Sequence, residues 1–67
     1  MKRFYFGLQG AHNLDDPNGI PYRNDLQAFR AGTRLAKDLA EVRPELRGNT
    51  CVMIATKGIE YLYCVSI

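Results

Sequence analysis

The pattern that most constrains this chain lies at its C-terminal end, where a short turn separates two apolar segments. Residues 50–56 and 59–67 are rich in β-branched and aromatic residues, which favour strands. Lys57-Gly58 between them is typical of a two-residue hairpin loop. The chain is therefore expected to end in an antiparallel β-hairpin that the rest of the fold must cover.

A two-residue loop at Lys57-Gly58 also determines which residues of the two strands face each other, and so which residues share each hairpin face. Counting outward, Thr56 faces Ile59, Ile54 faces Tyr61, Val52 faces Tyr63, and Cys51 faces Cys64. The two cysteines then form a non-hydrogen-bonded pair, where side chains are closest and where oxidation would join them. One face carries Val52, Ile54, Ile59, Tyr61, Tyr63 and Val65, and the other carries Cys51, Met53, Ala55, Leu62 and Cys64. Both faces are largely apolar.

A single amphipathic helix precedes the hairpin. Asn24 or Asp25 is suited to cap it, and Pro44 ends it after about Arg43. At 100° per residue, one half of its surface is apolar and built from Leu26, Ala28, Phe29, Ala31, Gly32, Leu35, Ala36, Leu39, Ala40 and Val42. One such helix covers one face of a small sheet.

The N-terminal part predicts two more extended segments. Residues 3–9 alternate between apolar and polar or small side chains, which indicates a half-buried strand, and residues 12–15 are a weak partner strand. The residues Asp16-Pro17-Asn18-Gly19 are typical of a type I turn. Pro21 favours an extended backbone over residues 20–23. The predicted fold class is α+β: an antiparallel sheet of three to four strands in the order strand, short strand, helix, strand, strand, with the long helix on one face.

Length and composition limit the functional classes. The 67 residues are 46% hydrophobic, which predicts one small folded domain over 1–67. Two cysteines are too few for a secreted disulfide scaffold, and the N-terminus does not match an export signal, so we expect a cytoplasmic protein. No segment is long and apolar enough to predict a membrane partner. One histidine, no Cys-x-x-Cys and no nucleotide or hydrolase motif argue against metal, cofactor and catalysis.

The uncovered hairpin face predicts self-association, because a monomer rarely exposes a large apolar patch. We therefore expect a non-enzymatic interaction module, acting as a homodimer towards a protein partner that the sequence does not identify. The predicted oligomer interface draws on both hairpin faces: Met53, Leu62, Cys51, Cys64, Tyr61 and Tyr63.

The alternative is a nucleic-acid-binding regulator that uses the basic face of the helix. Its predicted phosphate contacts are Arg23, Arg30, Arg34 and Lys37. Two observations weigh against it: the net charge is only +2, and Arg34–Asp38 and Lys37–Glu41 are spaced as neutralising i,i+4 pairs.

A histidine and two aspartates, His12, Asp15 and Asp16, are the one cluster in the sequence that resembles acid–base chemistry. Aspartate at the start of a turn commonly bonds the backbone instead. We therefore interpret these residues as turn chemistry beside a solvated histidine.

Several short motifs, in order, resemble a family of short, uncharacterised bacterial proteins. They are the Arg3-Phe4-Tyr5-Phe6 opening, the Asp15-Asp16…Gly19 turn, the Asp25-Leu26-Gln27-Ala28-Phe29-Arg30 helix start and the C-terminal hairpin. The sequence departs from the family at residues 20–23, where members more often have an acidic residue and then Leu-Pro. The resemblance implies this fold and a bacterial cytoplasmic setting, and no activity.

Overall fold

The structure is a computed structural model that describes residues 1–56 and 61–67, with the side chains of the last strand described from Leu62 onward. Its elements are β1 (Lys2–Gly10), β2 (Ile20–Tyr22), α1 (Asp25–Val42), a 3-10 turn (Pro44–Leu46), β3 (Thr50–Thr56) and β4 (Tyr61–Ser66). The four strands form one antiparallel sheet in the order β2-β1-β3-β4, with α1 packed on one face. The predicted α+β class and element order are confirmed.

The core lies between α1 and the two central strands. Phe4 of β1 and Val52 and Ile54 of β3 are completely buried against Ala28 and Ala36 of the helix. Small helix residues let the helix approach the sheet closely. The alternation of the strands therefore divides the sheet into a helix-covered face and a face pointing the other way, which we call the open face.

Local signals explain where the helix begins and ends. The Asn24 side-chain oxygen accepts from the Gln27 backbone N–H at 2.9 Å, and the Gln27 side chain accepts from the Arg23 N–H at 3.1 Å. This reciprocal arrangement closely resembles a capping box. At the other end the Arg43 N–H bonds to the Leu39 carbonyl at 2.7 Å before Pro44 ends the helix. Both ends agree with the sequence prediction.

The predicted hairpin register is wrong by two residues. Val52 pairs with Val65, Met53 with Cys64 and Ile54 with Tyr63, whereas Cys51 pairs with Ser66. The register then shifts at Ile54/Ala55, so that Ala55 pairs with Tyr61. Since side chains alternate with period two, a two-residue slip keeps Val52, Ile54, Tyr63 and Val65 on one face, and alternation does not distinguish the two registers. The predicted Lys57-Gly58 loop and the Thr56–Ile59 pair lie outside the described residues.

The predicted partner strand at 12–15 is reduced to one bridge. Leu14 exchanges two backbone hydrogen bonds with Leu8, at 2.8 and 3.0 Å. The fourth strand is instead β2, which pairs with Lys2, Arg3 and Phe4. The chain from 11 to 19 therefore runs back beside β1, and we call it the return loop.

Candidate functional sites

The predicted interface residues divide between the two faces of the sheet. Cys51 and Met53 of β3 are half-buried on the open face, and Leu62 and Cys64 of β4 are exposed. Tyr63 lies on the other face, where its ring packs on Phe29 with the ring centroids 5.0 Å apart. The Tyr61 side chain lies outside the described part of the chain. The helix therefore covers Tyr63, and the uncovered part of the predicted set is Cys51, Met53, Leu62 and Cys64.

The return loop covers part of the open face, a contact that the sequence pattern does not predict. Arg3 donates from its guanidinium to the Asn18 carbonyl at 3.0 Å. A Cβ at Gly19 would meet the Tyr5 ring at 2.8 Å, and a Cβ at Gly7 would meet the Leu14 carbonyl oxygen at 2.7 Å. The β1 side of the open face is thus occupied by the chain itself, and the uncovered part lies over β3 and β4.

Asp16 holds the return loop in place. One of its oxygens accepts from the Asn18 and Gly19 N–H groups at 3.2 and 3.0 Å, and the other accepts from the Phe6 N–H at 3.1 Å. Partial burial raises the pKa of Asp16, but these three backbone hydrogen bonds outweigh it and leave the pKa below its ordinary value of 3.8. Asp16 therefore serves the backbone, as predicted.

The described contacts do not join His12 to the two aspartates. Both Asp16 oxygens are engaged by backbone donors, and His12 takes part in neither of the ion pairs found between described residues. The pKa of Glu45 is lowered first by its hydrogen bond from Arg43, whose Nε lies 2.6 Å from Oε2, and then by weaker effects that include His12. The geometry thus favours the turn interpretation of this cluster over acid–base chemistry.

The two cysteines are free thiols in the structure. Cys51 and Cys64 occupy diagonal positions across the β3–β4 ladder, since their direct partners are Ser66 and Met53. The neighbouring Cys64 thiol, and then partial burial, raise the pKa of Cys51 above its ordinary value. A raised pKa keeps Cys51 protonated at neutral pH, which is the opposite of what a reactive thiol requires.

The two edges of the sheet differ. The β2 edge is three residues long, contains Pro21 and continues into the return loop. The β4 edge is six residues long and contains neither a charged residue nor a proline. Short length, proline and charge are the features by which proteins protect sheet edges from pairing with another chain. The β4 edge lacks all three.

A groove opens on the opposite side of α1, at the β2 edge. Its volume is about 560 Å³, and it exists because β2 is too short to extend along β1 as far as Phe6. The apolar lining is Phe6, Ile20, Tyr22, Ala31 and Leu35, and the charged lining is Arg30, Arg34 and Asp38. The sequence pattern does not predict this groove, because its walls come from three separate elements.

Only two of the four basic residues predicted to contact phosphate groups line the groove. Arg30 and Arg34 line it together, whereas Arg23 and Lys37 are exposed outside its lining. The predicted Arg34–Asp38 and Lys37–Glu41 ion pairs are not formed. The ion pairs found between described residues are Lys2–Asp25 at 3.6 Å and Arg43–Glu45. Exposed pairs of this kind gain little free energy, so their absence is physically reasonable.

Comparisons with family models, with curated proteins and with solved structures each found no match. The resemblance to the bacterial family remains a prediction. Within residues 1–56 and 61–67, no helix is long and apolar enough to cross a membrane, and no group of three or more potential ligand side chains is placed to hold a metal ion.

Proposed function

We propose that the chain is a small, non-enzymatic interaction module that acts as a homodimer, and that two copies pair along their β4 edges. The observation that carries this proposal is the unprotected β4 edge, which is flanked by exposed apolar side chains on both faces of the sheet.

Main-chain geometry supports strand pairing at this edge. The Ile67 N–H donates to the Thr50 carbonyl at 3.1 Å, so residues 50 and 67 form a hydrogen-bonded pair of the β3–β4 ladder. In an antiparallel ladder these pairs alternate with non-hydrogen-bonded ones. The backbone groups of Cys64 and Ser66 therefore point away from β3, towards the position of an added strand.

Apolar side chains flank the edge above and below. On the helix side, Phe29 is 38% exposed beside Tyr63, and Leu26, one helical turn earlier, is 55% exposed. On the open face, Leu62 is 37% exposed. An antiparallel β4–β4 pair about a two-fold axis places each patch beside its own copy, so one chain supplies both halves of a self-complementary interface.

A proline substitution tests the strand pairing. Cys64→Pro removes an N–H that points away from β3, so it is expected to keep the β3–β4 ladder and to block an added strand. Cys64→Val is the matched control, because it replaces the same side chain and keeps the N–H. Sedimentation equilibrium at micromolar concentrations should show a dimer for wild type and Cys64→Val, and a folded monomer for Cys64→Pro, with circular dichroism reporting the fold.

Two further variants keep the test decisive. If Cys64→Pro does not fold, Ser66→Lys places a charge on the same edge without changing the backbone and should also give a monomer. Met53→Asp places a charge one strand in from the edge, on the open face. Dissociation by Met53→Asp alone would assign the contact to the open face and overturn edge pairing. A wild-type monomer at these concentrations would overturn the homodimer itself.

The nucleic-acid alternative receives less support from the geometry. Two of its four basic residues, Arg30 and Arg34, share one surface, and the carboxylate of Asp38 lies in the same groove. A polyanion placed along this surface would meet that carboxylate one helical turn beyond Arg34.

A further inference from the structure

We propose that the groove between α1 and the β2 edge binds a small amphipathic anion. A single carboxylate or phosphate group is held by Arg30 and Arg34, and a short apolar body lies against Phe6, Tyr22 and Leu35. The groove lies on the flank of α1 opposite Phe29 and β4, so this proposal does not depend on the homodimer.

The size and chemistry of the groove fit such a ligand. Its volume of about 560 Å³ falls within the roughly 300–1,000 Å³ of small-molecule sites. Such sites combine a mostly apolar lining with a few converging polar groups. Five apolar and three charged residues line this one, and Ile20 at its edge is 47% exposed. An apolar ligand body would remove this side chain from water.

The charges at the rim specify an anion. Arg30 and Arg34 lie one helical turn apart, and neither takes part in the ion pairs found between described residues. Like charges at this spacing destabilise a helix, and an anion placed between them reverses the sign of that interaction. Guanidinium groups also match the planar geometry of carboxylate and phosphate oxygens.

Asp38 limits the ligand to one anionic group. Along the helix the lining charges follow the order Arg30, Arg34, Asp38, so a second anionic group beyond Arg34 would be repelled. This arrangement favours a compact ligand with one charged end over an extended polyphosphate such as a single-stranded nucleic acid.

The wall opposite the helix is held by the fold before any ligand arrives. The Phe6 N–H points out from the free edge of β1 and donates to the Asp16 carboxylate. The Phe6 and Tyr22 rings contact each other edge-on, with their centroids 5.9 Å apart. A preformed wall reduces the ordering cost of binding.

Titrations with matched amphiphiles test the proposal by NMR of the full chain. Sodium octanoate and octyl phosphate should bind and shift the amide resonances of Phe6, Tyr22 and Arg34, whereas octylammonium should not. Arg34→Gln should weaken octanoate binding about tenfold or more, because a charge-assisted contact is lost. Lys37→Gln is the matched control, since it removes the same charge from the same helix outside the groove, and it should change binding less than twofold.

A filled groove gives the second arm of the experiment. Ala31→Leu leaves every charge in place, occupies the apolar lining, and should abolish octanoate binding while the amide spectrum stays dispersed. Equal losses in Arg34→Gln and Lys37→Gln would show non-specific charge attraction and overturn the proposal. Binding of a short oligouridylate that is tighter than that of octanoate, and weakened equally by both variants, would instead assign the surface to nucleic acid.

Discussion

Gly32 lies where α1 comes closest to β3. A Cβ at this position would overlap the Cδ1 atom of Ile54, which is completely buried and has little room to turn. Alanine is the better helix former by about 1 kcal/mol, but forcing a methyl group into a packed core costs about 1–3 kcal/mol. The close approach, and not a backbone conformation, therefore explains glycine in the middle of this helix.

The first prediction follows from that contact. Gly32→Ala should lower the free energy of unfolding by about 1 kcal/mol, the steric cost exceeding the gain in helix propensity. Adding Ile54→Val removes the overlapping Cδ1, so the double variant should be more stable than the sum of the two single changes predicts. Urea denaturation of the four proteins measures the coupling, and additive effects would show that the two residues are not in contact.

The second prediction concerns the contribution of Asp16 to stability and its dependence on pH. The pKa of Asp16 is lower in the folded protein, so the unfolded chain binds the proton more readily. The stabilisation by the Asp16 carboxylate is therefore fully present above its ordinary pKa of 3.8 and is lost as the pH falls through the folded pKa. Asp16→Asn keeps one acceptor oxygen but places an amide where the Phe6 N–H donates. It should cost roughly 1 kcal/mol at neutral pH, less than a buried charged hydrogen bond because the site is largely solvated.

The difference between wild type and Asp16→Asn should therefore shrink at acid pH. Urea denaturation at about pH 7 and again at about pH 2.5 measures it, and other carboxylates such as Glu45 cancel in the comparison. A difference that is the same at both pH values would remove Asp16 as the cause.

At the scale of the elements, the β3–β4 register has a chemical test. Ser66 lies directly opposite Cys51, whereas Cys64 lies diagonally from it. Diagonal neighbours have Cα atoms about 7–8 Å apart, which exceeds disulfide geometry. Mild oxidation of the Cys64→Ser, Ser66→Cys variant should therefore form an intrachain disulfide, and the same treatment of wild type should not. Peptide mapping by mass spectrometry identifies the linkage, and a rapid intrachain Cys51–Cys64 bond in wild type would restore the register predicted from the sequence.

The elements that the sequence predicts well are those with local causes. Asn24 and Pro44 mark the ends of α1, and Asp16 to Gly19 mark the turn, because capping, proline geometry and aspartate–backbone bonds depend on nearby residues. Alternation is also a local pattern, and it correctly places Val52, Ile54, Tyr63 and Val65 on one hairpin face, whereas Ile59 and the Tyr61 side chain lie outside the described residues. The β3–β4 register is not predicted by the sequence, because it depends on long-range contacts that alternation does not encode. These contacts are the packing of Tyr63 under Phe29 and the pairing of β3 with β1.

The candidate sites show the same division. The basic residues Arg30 and Arg34 are visible as a helical stripe, but the groove also needs Phe6, Ile20 and Tyr22, which come together when β2 ends early beside β1. Likewise, the apolar hairpin face is visible in the sequence, while the partial cover of the open face by the return loop depends on the close approach of Gly7 to Leu14 and of Gly19 to Tyr5, which alternation does not encode.

For the whole molecule, the core is thin. The buried hydrophobic residues of the described chain are Phe4, Ala28, Ala36, Leu46, Val52 and Ile54, and two of them are alanine. A domain of this length buries only about 60% of the surface that its unfolded chain exposes, and small domains commonly gain stability from association. The β4 edge, with Leu26, Phe29 and Leu62 beside it, supplies the apolar surface for such a gain.

The proposed homodimer therefore predicts a melting temperature that depends on protein concentration. Well above the dissociation constant, a tenfold increase in total protein raises the free monomer only about threefold, which stabilises each chain by about 0.7 kcal/mol. For a domain of this size that corresponds to about 3–6 °C. Calorimetry across a hundredfold concentration range should show this slope for wild type and Cys64→Val and a constant value for Cys64→Pro. A constant melting temperature in all three proteins would mean that folding proceeds without association, and that β4 remains an unpaired edge in solution.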